Sequence, residues 1–106
     1  MRSSPRLLVF LIVVMASCQS VVLTESQRLY AVQFEYNRVS KVALAYMQGG
    51  GSDPQFNSLI KQIDDRVYNS LKDAAVGVRP KDEVSNEILV DIRQIKRELG
   101  KRGIDL

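Results

Sequence analysis

The chain has 106 residues, 15 Lys and Arg against 12 Asp and Glu, a formal charge of +3, one cysteine and no histidine. A single cysteine rules out an intramolecular disulfide, and the lack of imidazole rules out histidine-dependent triads and dyads and leaves zinc or copper sites poorly supported. Two of the basic residues, Arg2 and Arg6, precede an apolar run; without them 13 basic residues meet 12 acidic ones, so no nucleic-acid partner is expected.

The first element is that apolar run. Leu7–Ala16 is unbroken by any polar residue. As a helix it would rise ~15 Å, about half of a ~30 Å hydrocarbon core. With arginines before it and small residues after it, the pattern is that of an export signal and not of a membrane span. Val14-Met15-Ala16-Ser17-Cys18 resembles the processing box of bacterial lipoproteins. That resemblance implies a signal peptide over 1–17, an acylated Cys18, a short tether over 18–23 and one helical domain over 24–106. It also gives the lone thiol of an exported chain a chemical role. Gln19 stands where inner-membrane-retained lipoproteins often carry Asp, which implies an outer-membrane anchor facing the periplasm. The alternative is an ordinary secretory signal cut near Ser17 or Ser20, leaving a soluble periplasmic or secreted chain.

Three amphipathic segments follow. Over Thr24–Met47, Leu29, Val32, Tyr36, Val39, Ala43 and Tyr46/Met47 recur every three or four residues, which puts them on one helical face; Gly49-Gly50-Gly51 ends the segment. The second helix begins either with Asp53 as N-cap and Pro54 in its first turn, or with Ser52 and Gln55 as a capping box. Its stripe is Phe56, Leu59, Ile60, Ile63, Val67, Leu71, Ala74 and Val78, and Gly77 and Pro80 close it. Lys81-Asp82-Glu83 opens the third helix, with Val84, Ile88, Ile92, Ile95 and Leu99 as its apolar stripe and Gly100 and Gly103 at its end. The expected fold is all-α, a three-helix up-down-up bundle; the alternative is a long helical hairpin with a loosely docked third helix.

Few residues in these segments carry chemistry. Gly49-Gly50-Gly51-Ser52 lacks the lysine of a phosphate-binding loop and follows a helix, so it reads as a turn. Asp64 and Asp65 are adjacent and therefore point apart on a helix. Glu87 and Asp91 share a face but read as a solvated acidic surface. No catalytic residue, metal site or cofactor is expected, and the chain reads as a nonenzyme. Arg93, Lys96, Arg97 and Lys101 form a possible basic contact face. The sharpest feature is an aromatic pair at i,i+4: Tyr30 and Phe34 fall nearly opposite the core stripe of the first helix. Exposed aromatic residues anchor interfaces, so the pair is expected to meet a protein partner, a second copy or the membrane. Packing within the bundle is the competing reading.

The run Thr24-Glu25-Ser26-Gln27-Arg28-Leu29-Tyr30-Ala31, then Tyr36, Ala45-Tyr46, Asp53 and Ile63-Asp64, resembles small lipoproteins of alphaproteobacteria and their prophages over roughly Thr24–Ala75. The resemblance implies an envelope lipoprotein held by its N-terminal lipid and carries no established activity. Two function classes follow: a noncatalytic envelope lipoprotein acting through protein–protein interaction or self-association, and a phage-derived lysis accessory resembling an outer-membrane spanin subunit. The second fits less well, since such subunits are often proline-rich and extended while only Pro54 and Pro80 follow Cys18.

Overall fold

The computed structural model describes residues 23–50 and 53–106. The expected signal peptide, Cys18, all but the last residue of the tether and the Ser52 capping alternative lie outside the described residues. Three helices follow in order: α1 (Glu25–Gln48), α2 (Pro54–Ala75) and α3 (Lys81–Lys101).

Local chemistry sets their ends. Thr24 caps α1: the Gln27 backbone N–H donates to Thr24 Oγ1 at 3.1 Å, and the Thr24 N–H donates to Gln27 Oε1 at 3.0 Å. Two otherwise orphaned donors are thereby satisfied. α2 uses Asp53, whose carboxylate accepts from the Phe56 N–H at 3.2 Å, with Pro54 in the first turn. α3 has no side-chain cap; Pro80 occupies the N-cap position. At the other ends, Gly77 and Gly103 adopt left-handed φ values of 79° and 84°. Each lets the following residue reach back to a carbonyl five positions earlier, Val78 to Asp73 and Ile104 to Leu99, the closure that glycine makes accessible.

The helices pack as an up-down-up bundle. Arg28 pairs with Asp82, joining the starts of α1 and α3. Asp53 pairs with Arg102 at 2.6 Å, joining the start of α2 to the end of α3. The Tyr46 and Phe56 rings meet edge to face at 5.1 Å, joining the end of α1 to the start of α2. α1 and α3 are therefore parallel, and α2 is antiparallel to both.

α3 sits at the centre. Val84, Ile88, Ile92, Ile95 and Leu99 are all buried, against Leu29, Val32, Val39 and Ala43 of α1 and Phe56, Ile60, Ile63, Val67 and Ala74 of α2 in one continuous core. The backbones of α1 and α2 approach each other far less closely than either approaches α3. The loosely docked third helix is thus inverted, because α3 is the element on which the other two lie. Two positions depart from the expected α2 stripe. Val78 is 69% exposed, since the helix stops at Ala75 and the left-handed Gly77 turns the chain off the face. Ser70 is buried, donating its hydroxyl to Glu87 of α3 at 3.3 Å.

Candidate functional site

α1 faces α3 with one side and leans on α2 with the next. Nothing among the described residues covers its remaining side. Tyr30 is 72% exposed and Phe34 68%. One helical turn separates them, so the two rings stand side by side on the surface. Asn37 and Lys41 continue the same face and are exposed, and Leu44 follows at 47%. Leu23, just before the Thr24 cap, is also exposed. The first helix is therefore not sandwiched, and the aromatic pair lies in solvent next to the end of the helix that follows Cys18.

Three of the four basic residues of α3, Arg93, Arg97 and Lys101, are exposed at four-residue spacing; the fourth departs from them. Lys96 turns toward α1, where its Nζ lies 3.2 Å from Glu35 Oε2. Arg38 grips the same carboxylate at 2.7 Å. The Arg38 hydrogen bonds, with Lys96 adding to them, hold Glu35 down at about 2, against the desolvation that opposes it. Lys101 pairs with Glu98 at 3.1 Å. Arg93 and Arg97 are exposed and make no ion pair among the described residues.

The acidic residues are mostly structural. Tyr36 donates its hydroxyl to Asp64 Oδ1 at 2.8 Å across the α1–α2 seam. Burial and that acceptor push the Tyr36 phenol well above its ordinary range, so it stays protonated and serves as a donor. Asp65 is exposed and does not join it. The expectation of a solvated face is corrected at Asp91, while Glu87 keeps a partly exposed side chain. Asp91 is only 5% exposed and accepts from Arg66 at 2.8 Å. Glu87 is clasped by Arg79, which also holds Glu83 at 2.6 Å. The Arg79 hydrogen bonds lower the Glu87 pKa. These residues form a polar seam between α2 and α3 that periodicity did not expose. The signal available was the run Glu83, Glu87, Asp91 at four-residue spacing, matched by arginines at 66 and 79.

An open cleft of about 410 Å³ lies between α1 and α2, with Leu44, Met47 and Ile60 along it and Tyr36, Lys61 and Asp64 at its polar side. Ser40 Oγ and Asn57 Oδ1 border it, buried and without a hydrogen-bond partner among the described residues. No group of three or more metal-ligating side chains converges among the described residues. No described helix is long and apolar enough to cross a membrane. No family model, no curated protein and no solved structure matches the chain.

Proposed function

We propose that the chain is a noncatalytic bacterial envelope lipoprotein, anchored through Cys18 to the outer membrane on its periplasmic side, that acts by binding protein through the outer face of α1. The observation that carries this reading is the adjacent exposure of Tyr30 and Phe34. A pair of large rings left in water on a small bundle is costly unless a surface covers it, and aromatic side chains are enriched where interfaces concentrate their binding energy. The export-type segment and the lipobox-like Val14–Cys18 support the placement. The short stretch between Cys18 and Thr24 would hold this face close to the bilayer.

The test uses full-length protein in host membranes. Tyr30→Ala with Phe34→Ala keeps helicity and melting temperature and loses the crosslinked species that the wild-type chain forms. Unchanged crosslinking defeats the interaction reading, and unfolding of the variant makes the rings part of the core. Cys18→Ser abolishes acyl labelling and releases the chain from membranes; full membrane retention defeats the anchor.

A further inference from the structure

The exposed face of α1 has a regular spacing of its own. Tyr30, Phe34, Asn37, Lys41 and Leu44 alternate by four and three residues, and all five are exposed. That is the spacing of a coiled-coil seam, and it runs beside the core stripe on the same helix. The surface carries the matching relief. One depression of about 220 Å³ is bordered by Tyr30, Gln33, Phe34 and Asn37. A second of about 460 Å³ is bordered by Phe34, Asn37, Arg38 and Lys41. Each set has the spacing i, i+3, i+4, i+7, the four-residue frame that receives one side chain of a facing helix.

The seam is also polar along its length. Its N-terminal half presents the two rings and its C-terminal half presents Lys41, with Arg38 held beside it by Glu35. A parallel pairing of two copies would set Lys41 on Lys41. An antiparallel pairing sets Tyr30 of each copy against Lys41 of the other, the arrangement a ring face favours. With the two-fold axis passing between Phe34 and Asn37, Phe34 of each copy enters the larger depression of the other, between Arg38 and Lys41. Asn37 enters the smaller one, and Tyr30 lies opposite Lys41. Both depressions are filled twice by one symmetry operation, as an isologous interface requires.

We infer that the partner of the α1 outer face is a second copy of this chain, docked antiparallel through this seam. The inference rests on the reading above that this face binds protein. A seam of a few turns is small for a stable dimer, so pairing is strengthened where the copies share one membrane surface and their effective concentration is high.

Cysteine crosslinking in host membranes tests it, on full-length chains that keep Cys18. Tyr30→Cys and Lys41→Cys are made in separately tagged chains and co-expressed. Both positions are solvent-exposed, so each variant is expected to keep its helical circular dichroism. Antiparallel docking puts position 30 of one chain opposite position 41 of the other, within disulfide reach. It keeps position 30 about 16 Å along the helix axis from its own counterpart. The expected result is a mixed-tag, reducible dimer severalfold above the co-expression of Tyr30→Cys with wild type, little dimer from either variant alone, and loss of the mixed dimer when Phe34→Ala is added to both chains. A mixed yield no higher than that wild-type control overturns the pairing. Equal or greater homotypic yields at positions 30 and 41 overturn the antiparallel arrangement. If the mixed dimer is absent while Tyr30→Ala with Phe34→Ala still removes a crosslink to another protein, self-docking falls and the interaction reading stands.

Discussion

At the residue scale the bundle is stitched by charge-assisted hydrogen bonds at its ends and seams. Glu35 sits at about 2, and Asp53, Glu87 and Glu98 are lowered by Arg102, Arg79 and Lys101 respectively. A carboxylate held lower in the folded chain than in the unfolded one contributes stability above its unfolded pKa, and that stability is lost as the pH falls through the folded value. The melting temperature is therefore expected to hold from pH 7 to about pH 5 and to drop steadily toward pH 2, followed by circular dichroism; a flat profile over that range would contradict the pairing. Glu35→Gln should make the drop shallower. The outward Tyr30 and Phe34 were legible in the sequence because a helical wheel assigns angle without knowledge of neighbours. Asp91 was not, because a carboxylate on α3 turns inward only once Arg66 of α2 is known to meet it.

At the element scale α3 carries the fold. Ile88 and Ile95 are fully buried, and they sit where neighbours from two helices converge. Ile95→Ala is expected to cost about 2–5 kcal/mol, measured by urea unfolding, against a change within ~0.5 kcal/mol for a surface substitution such as Arg97→Ala. The three apolar stripes were legible, since each repeats at 3.6 residues over four turns or more. The ends were legible where glycine or a capping residue marks them, as at Asp53, Gly77 and Gly103. What periodicity could not supply is the order of packing: a stripe says that a face is buried but not which helix buries it. The shared use of α3 by α1 and α2 follows from how the faces combine, and Val78 left the core because the chain turned at Gly77 before reaching it.

At the scale of the whole molecule the arrangement is a keystone. α1 and α2 meet through a few side chains, among them Tyr36 with Asp64 and Tyr46 with Phe56, and otherwise through α3. A chain ending at Pro80 is expected to lose cooperative melting and most of its helicity by circular dichroism; a truncated chain that melts as sharply as the whole would contradict this. The consequence is one of timing. The keystone is the last of the three described helices, so the first two have little to fold onto until it is made. The core includes residues up to Leu99, so it cannot close until synthesis has reached that point. Under the export proposed above, a late keystone would postpone folding, and the position of α3 in the order of the chain would supply the delay.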